Sequence, residues 1–391
     1  MRERRVALEA ALLAGEIFWR EMPFRVSRPG WVDRYPEIDA ELMAMSSEGL
    51  AALLDNNLAL VTWLTQRAGL SALFAGLIAV PRVSHAAADA GDPRQVWGIP
   101  GRKLQQIEAF LSSAGELTGD ALEWCAGKGH LGRLHQLRTH APVVSLEIDE
   151  TLCRQGQALA ARAGATAHRF VCGDALAPDA GLLLKGRHAL ALHACGDLHR
   201  RLAEHAAARG SLGVDIAPCC YYRLSTPEYS PFSRASRLRL TRDDLHLAVT
   251  ETVTAPAREI RGRDRETSWK LAFVAWRERS LGEPYRSFKP VPEAWMRRDL
   301  ADFLARMCER EGISPPPEAA VPALEREALH RLNVMMRRSA VRLAFRRVME
   351  LWLVCDLAEP LLGAGFEVGI REFCDRRLTP RNLLLSARRP S

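Results

Sequence analysis

The chain has 391 residues, of which 48% are hydrophobic and 26% charged, and its formal net charge is +7 at pH 7. This composition is that of a globular protein, and the length predicts a core domain with additions. The nine cysteines include no C-x-x-C pair and no zinc-finger spacing, and the first residues carry no export signal. These features exclude a zinc-finger protein, and we predict a cytoplasmic protein with reduced thiols and no bound metal.

The first part of the chain, residues 1–95, predicts mostly helices. Residues 7–21 have apolar side chains at helical spacing, and two or three further helices are predicted within 37–80. The apolar stretch 58–80 has two polar residues at its centre, and its uninterrupted part is shorter than the ~20 residues that a bilayer requires. We therefore predict a buried helix there and no membrane partner. Residues 86–93 predict a linker.

Residues 96–223 alternate strand and helix signals, which is the pattern of a parallel sheet in an α/β protein. Helices are predicted at 101–112 and 197–209. The predicted strands cover 121–124, 143–149, 168–175, 188–193 and 212–217.

After Arg223 the pattern changes to helices interrupted by proline-rich turns. Helical signals cover 241–281 and 293–362, and residues 365–370 and 382–385 then predict a closing antiparallel hairpin. The predicted organisation is a helical N-terminal region (1–95), an α/β core (96–223), a helical insertion (224–360) and closing strands of the core sheet (361–391).

A complete G-x-G-x-x-G turn follows the first predicted strand and is formed by Gly127, Gly129 and Gly132. A strand, a glycine turn and a helix N-terminus make a cradle for a nucleotide cofactor. We expect the first glycine to permit the turn, the second to let the ligand approach the backbone, and the third to let helix and strand pack closely. The chain has no G-x-x-x-x-G-K-[ST], so a P-loop is excluded.

Acidic residues on three successive predicted strands help to decide which cofactor the turn holds. Glu123 lies inside the first strand, four residues before Gly127; Glu147 and Asp149 end the second, and Asp174 ends the third. A pyrophosphate is an anion and gains nothing from an acid at Glu123, whereas a cationic amino-acid end does. The acids favour a cofactor with such an end, and NAD is the alternative.

This layout resembles the class I S-adenosylmethionine (SAM) methyltransferases, whose Rossmann-like sheet ends in an antiparallel pair. The resemblance implies that Glu123 lies near the methionine amino group and that Asp174 faces the adenine amino group. It also implies that Glu147 holds the ribose, with Asp149 as the second candidate. The implied cofactor contacts are Glu123, Cys125, Ala126, Gly127, Lys128, Gly129, Gly132, Glu147, Ile148, Asp149, Gly173, Asp174, Ala175 and His193.

The ends of the fourth and fifth predicted strands lie where open α/β sheets bind their ligands. Residues 193–198 are His-Ala-Cys-Gly-Asp-Leu, and residues 218–223 are Pro-Cys-Cys-Tyr-Tyr-Arg. Together with the Cys-Ala-Gly-Lys-Gly turn at 125–129, they are similar to the methyltransferase domain of the methyltransferase-like protein twenty-five family and its bacterial relatives. A more distant similarity is to the tRNA 2′-O-methyltransferases of the acceptor stem, whose zinc-binding module has no counterpart here.

Methyl transfer to a hydroxyl or guanidinium group requires a proton acceptor. His193 is the predicted base, since an imidazole has an ordinary pKa of about 6.5. Asp197 would hold this imidazole or bind the methyl acceptor. Cys219 is a further candidate, as a covalent nucleophile of the kind that RNA cytosine-C5 methyltransferases use, and the alternative is that Cys219 and Cys220 pack the wall of the site.

The positive charge is concentrated in the C-terminal part of the chain. Residues 224–391 hold 30 Lys and Arg against 23 Asp and Glu, whereas residues 1–223 hold 24 of each. Arg338, Arg342 and Arg346 follow one helix face, where they would either track a phosphate backbone or form a solvated, ion-paired face. We predict a SAM-dependent methyltransferase that acts on RNA (tRNA or rRNA). The alternatives are a protein side-chain methyltransferase and a non-catalytic RNA-binding protein that keeps SAM as a structural ligand.

Overall fold

The computed structural model describes residues 1–71, 73–83, 93–250 and 257–390. The predicted linker, residues 86–93, lies outside the described residues except for Pro93. The helices are α1 (Arg2–Ala14), α2 (Glu16–Trp19), α3 (Gly30–Arg34), α4 (Pro36–Ala44), α5 (Ser47–Asp55), α6 (Asn57–Ala68), α7 (Leu73–Leu77), α8 (Pro93–Val96), α9 (Gly101–Ala114), α10 (His130–Thr139), α11 (Glu150–Ala163), α12 (Asp197–Ala208), α13 (Arg242–Val249), α14 (Ala257–Leu281), α15 (Leu300–Glu311), α16 (Val321–Leu343), α17 (Arg346–Leu357) and α18 (Glu359–Gly363). Short 3₁₀ helices lie at Ala180–Leu184, Glu293–Arg297 and Glu318–Ala320.

Seven strands form one sheet in the order β3–β2–β1–β4–β5–β9–β8. Strands β1 to β5 are parallel, β9 is antiparallel to β5, and β8 is antiparallel to β9. This arrangement confirms the predicted α/β fold class and the closing hairpin. The strands are β1 (Asp120–Trp124), β2 (Val143–Glu147), β3 (His168–Cys172), β4 (Arg187–Cys195), β5 (Gly213–Cys219), β6 (Glu228–Tyr229), β7 (Leu240–Thr241), β8 (Glu367–Glu372) and β9 (Leu383–Arg388).

Parallel strands that are covered on both faces are mostly apolar, and this pattern favours strands here. Every residue of β5 is buried, and the four residues of β1 after Asp120 are buried as well. Strand order reverses between β1 and β4, where the chain changes direction across the sheet. In open α/β sheets the ligand crevice lies beside this reversal, outside the carboxyl ends of the strands.

Packing divides the chain into two compact units. Unit 1 comprises Met1–Leu13, Gly76–Thr254 and Arg346–Ser391, and it holds the sheet, with Ile107, Phe110 and Leu190 in its core. Unit 2 comprises Ala14–Ala75 and Ala255–Phe345; its described elements are helices around Trp269, Phe273 and Phe303. These boundaries differ from the predicted ones, because a unit assembled from separate chain segments leaves no mark in the local sequence pattern.

Two predicted helical stretches are interrupted. The predicted buried helix over 58–80 is divided into α6 and α7, since Gly69 adopts a left-handed conformation (φ 63°) that ends α6. The predicted helical insertion also contains a small antiparallel ladder between β6 and β7. Among the described residues, none of the helices combines the length and the apolar character that crossing a membrane requires.

Candidate functional site

The glycine turn joins β1 to α10. The surroundings of a side chain at the three glycine positions differ, and so does the reason for glycine at each. Gly127 has a positive φ of 59° and open space where a Cβ would lie. Gly132 allows the helix to pack on the strand, because its Cβ would lie 2.6 Å from Glu123 Oε2. Gly129 differs from its prediction: its Cβ would lie 2.3 Å from Phe170 Cζ, so the packing of a neighbouring strand, rather than the approach of a ligand, excludes a side chain there.

Glu123 is buried, with 5% of its surface exposed. Its Oε2 accepts hydrogen bonds from the Gly132 N–H (3.0 Å) and from Ser145 Oγ (2.7 Å). Burial raises the pKa of Glu123 to about 7, although these two bonds and the charge of Lys103 act in the opposite direction. Glu123 therefore ties the turn to β2, and it is not among the residues that line the adjacent cavity.

Glu147 and Asp149, the two candidates for holding the ribose, have different hydrogen-bond partners in the structure. Glu147 accepts three backbone N–H groups: Oε2 from Gly127 (2.8 Å), and Oε1 from Ile148 (2.9 Å) and Asp149 (3.0 Å). A carboxylate offers about four acceptor positions, so one remains for a ligand hydroxyl. Asp149 instead caps α11 by accepting the N–H groups of Thr151 and Leu152. Glu147 lines the cavity and Asp149 does not.

A cavity of about 600 Å³ lies at the carboxyl ends of the parallel strands, a volume typical of small-molecule sites. Six predicted cofactor residues line it: Cys125, Glu147, Ile148, Gly173, Asp174 and Ala175. The other predicted cofactor residues do not: Glu123, Ala126, Gly127, Lys128, Gly129, Gly132, Asp149 and His193. The sequence analysis missed Leu146, Leu176 and the segment 223–225. Leu176 could have been found, since it is an apolar residue two positions after Asp174.

At one end of the cavity, a carboxylate lies beside apolar side chains that are exposed to solvent. Asp174 Oδ1 accepts the N–H of Leu176 (2.8 Å). Ile148 is 65% exposed and Leu176 is 40% exposed. Two exposed aliphatic side chains beside a carboxylate can hold a flat, nitrogen-rich ring, because the ring covers their apolar surface and its amino group donates to the acid.

His193 differs from the base that the sequence predicts. It sits in a bulge of β4 with a positive φ of 67°, and its Nε2 lies 3.0 Å from Gln106 Oε1. Burial, together with the charges of Lys103 and Arg381, lowers the pKa of His193 to about 3. A ring with this pKa is a weak base near neutral pH. Asp197 does line the cavity, but its carboxylate accepts the Ser225 N–H (2.6 Å) and the predicted His193–Asp197 pair is not formed.

Three cysteines meet at the ends of β4 and β5. The sulfur atoms of Cys195, Cys219 and Cys220 all lie within 4.8 Å of one another, and Cys195 lines the cavity. The bond with Cys195 raises the pKa of Cys219 far above its ordinary value, and the bond with Cys219 lowers the pKa of Cys220 to about 5. Cys219 is also 6% exposed. A buried, neutral thiol is a poor nucleophile, so the structure does not support Cys219 as a covalent nucleophile.

The three arginines predicted to track a phosphate backbone are instead buried or bonded to other parts of the protein. Arg338 donates to both carboxylate oxygens of Asp39 (2.8 and 2.7 Å). Arg342 is 6% exposed and donates to the carbonyl of Trp19 (2.9 Å). Arg346 is 5% exposed and belongs to α17, since α16 ends at Leu343. The phosphate-tracking prediction for these residues is therefore wrong.

Comparison with known proteins shows what part of the chain is similar to. Residues 102–227 match the model of a family described as a methyltransferase domain. Seven chains of solved structures match as well. One is the N-terminal domain of EvdMO1 with SAH bound, which is 19% identical with a TM-score of 0.25, and the match covers 29% of this chain and 47% of that chain. No curated protein matches the chain.

Residues 102–227 are therefore similar to a methyltransferase domain. This similarity confirms the predicted enzyme class, a SAM-dependent methyltransferase, and with it the predicted cofactor. The narrower similarity to the methyltransferase-like protein twenty-five family stays a prediction.

Proposed function

We propose that this protein transfers the methyl group of SAM to RNA. The observation that carries the proposal is the cavity onto which Glu147 and Asp174 project from the ends of β2 and β3. Both acids lie inside the segment that matches the methyltransferase domain. This is the arrangement that a ribose and an adenine amino group require.

The residues present fit the cofactor. The unused acceptor position of Glu147 suits a ribose hydroxyl, and Ile148 and Leu176 supply apolar surface for an adenine ring whose amino group would donate to Asp174. Bound SAM supplies a methyl group on a positively charged sulfur. The protein's main contribution is then to align the acceptor with that methyl, which is worth up to ~7–11 kcal/mol when the geometry is ideal.

We assign Asp197 the role of binding the methyl acceptor and taking its proton. It begins α12 at the end of β4, and its carboxylate faces the cavity while Oδ2 accepts the Ser225 N–H. The remaining acceptor positions can orient a hydroxyl or amino nucleophile and take its proton. His193 stays neutral and bonded to Gln106, so it supports the bulge rather than taking the proton.

RNA is favoured by the charge beside the cavity. Residues 229–242 contain four arginines and no acid, and they include β7 and the start of α13. Arg242 donates to the carbonyl of Leu224 (2.6 Å), a residue that lines the cavity, and the exposed Arg223 lines it as well. Arginine side chains attract phosphates, and their binding releases counterions.

Two measurements test the proposal. Calorimetry should show binding of S-adenosylhomocysteine (SAH) that Asp174→Ala weakens, while Asp149→Asn, which keeps the cap of α11, leaves it unchanged. Tritium from labelled SAM should enter cellular RNA and not protein. Exchange of Arg234, Arg237 and Arg239 for glutamine should reduce the label in RNA without changing SAH affinity. Label in protein would support the protein side-chain alternative, and SAH binding with no label in either would support a non-catalytic binding protein.

A further inference from the structure

The three cysteines at the ends of β4 and β5 form a compact sulfur cluster. Cys195 is the last residue of β4, Cys219 is the last residue of β5, and Cys220 follows it. The Sγ atoms of Cys195 and Cys219 are 3.0 Å apart, and all three sulfurs lie within 4.8 Å. Because the sulfur atoms come from the ends of two different strands, no sequence motif predicts the cluster.

A backbone bulge creates this convergence. From His188 to Leu192, β4 pairs with β5 at a constant offset of 25 residues (217 − 192 = 25), whereas Cys195 pairs with Cys219 at an offset of 24 (219 − 195 = 24). At the earlier offset Cys195 would face Cys220, and the side chains of Cys195 and Cys219 would point to opposite faces of the sheet. The bulge puts them on the same face.

The bulge carries backbone strain. His193 within it has φ 67°, and Cys220 has φ 41°, although neither is glycine. Such conformations cost on the order of 1–3 kcal/mol each and persist where the surrounding structure enforces them, commonly at functional sites. Here the two strained residues lie beside the converging sulfur atoms.

A thiolate, and not a thiol, is the metal ligand. Cysteine thiols therefore release their protons when a cation binds.

We propose that Cys195, Cys219 and Cys220 bind one zinc ion, with a fourth coordination position open toward the cavity that Cys195 lines. Zn²⁺ prefers thiolates and tetrahedral geometry, and sites with three protein ligands keep the fourth position for water or substrate. A Zn–S bond of about 2.3 Å places tetrahedral sulfurs about 3.8 Å apart, so Cys195 and Cys219 need to separate by less than about 1 Å. Binding releases the remaining thiol protons. The site does not depend on the proposed methyl acceptor.

The chelator-treated full-length protein, kept under a phosphine reductant, should be titrated with Co²⁺. We expect about one ion per chain, with a thiolate-to-cobalt charge-transfer band and tetrahedral visible bands that Zn²⁺ abolishes. Cys219→Ser and Cys220→Ser should weaken binding at least tenfold, on the scale of perturbed metal sites. The control Cys172→Ser, an exposed cysteine outside the cluster, should bind like the parent protein.

Two outcomes would overturn the zinc site. These are a titration without a charge-transfer band, and equal affinity in the parent protein and all variants. Circular dichroism and thermal unfolding establish that each variant is folded, so lost metal binding cannot be confused with misfolding. None of these measurements requires methyl transfer, and failure of the RNA proposal would leave them unaffected.

Discussion

Replacing Glu123 by glutamine tests whether this acid is part of the turn or a cofactor ligand. One oxygen of Glu123, Oε2, accepts both the Gly132 N–H and the Ser145 hydroxyl. The amide oxygen of glutamine can accept the same two bonds, so Glu123→Gln mainly removes a buried negative charge. The size and the pH dependence of its effect follow from the pKa of Glu123.

Burial raises this pKa from 4.5 to about 7. A shift of 2.5 units (7 − 4.5 = 2.5) at ~1.36 kcal/mol per unit corresponds to about 3 kcal/mol. The folded state holds the proton more tightly, so the stability that protonated Glu123 contributes is complete below pH 4.5 and is lost as the pH rises through 7. Relative to the parent, Glu123→Gln should therefore gain about 3 kcal/mol of unfolding free energy between pH 4 and pH 8.

Urea unfolding of both proteins across this pH range measures the difference. Because the chain has two compact units, the relevant transition is the one that SAH shifts to higher urea. SAH affinity should change by less than about threefold, since Glu123 does not line the cavity. A stability difference that is constant with pH would refute the burial argument, and a tenfold loss of SAH affinity would restore Glu123 as the partner of the methionine amino group.

Four further predictions follow from the site and from unit 2. Gly129→Ala should lower the free energy of unfolding by about 2–4 kcal/mol, because its Cβ would overlap a phenylalanine ring. Gly127→Ala should lower it by only ~1–2 kcal/mol, the cost of a left-handed alanine. Urea unfolding of both variants measures the difference. Asp174→Asn should weaken SAH binding roughly tenfold in calorimetry, since a charged acceptor becomes neutral. The rate of methyl transfer between pH 5 and 8 should show no ionisation of His193, because its pKa of about 3 keeps the ring neutral there. A His193→Gln variant should therefore keep the parent's pH profile. A titration step in the parent's profile that this exchange removes would contradict the assignment. Arg338→Gln should leave RNA affinity in a filter-binding assay unchanged while lowering the thermal stability of unit 2, because its guanidinium is held by Asp39; weaker RNA binding would restore the phosphate contact.

The sheet could be predicted from the sequence because its strands are apolar runs bounded by turn residues. The predicted strand 212–217 corresponds to Gly213–Cys219, and the predicted pair 365–370 and 382–385 corresponds to β8 and β9. Burial on both faces requires such runs, and short-range patterns are sufficient to find them.

The roles of individual side chains could be predicted only in part. Strand-end spacing located Glu147 and Asp174, which line the cavity. It could not show where the carboxylate of Glu123 points, because Ser145 is a partner from another strand. Asp149 could have been recognised as a helix cap, since it stands directly before α11. The bulge at His193 has no signal in the residue pattern, and the arrangement of the cysteines depends on it.

The position of β9 between β5 and β8 has a consequence for biosynthesis. A ribosome makes β5 early, but the strand that pairs with its outer edge is made only after the second part of unit 2 and helices α17 and α18. During this interval the edge of β5 presents unpaired backbone groups, which are a template for another chain. The nascent protein therefore passes through an aggregation-prone stage, and chaperones that cover exposed strand edges would act on it there.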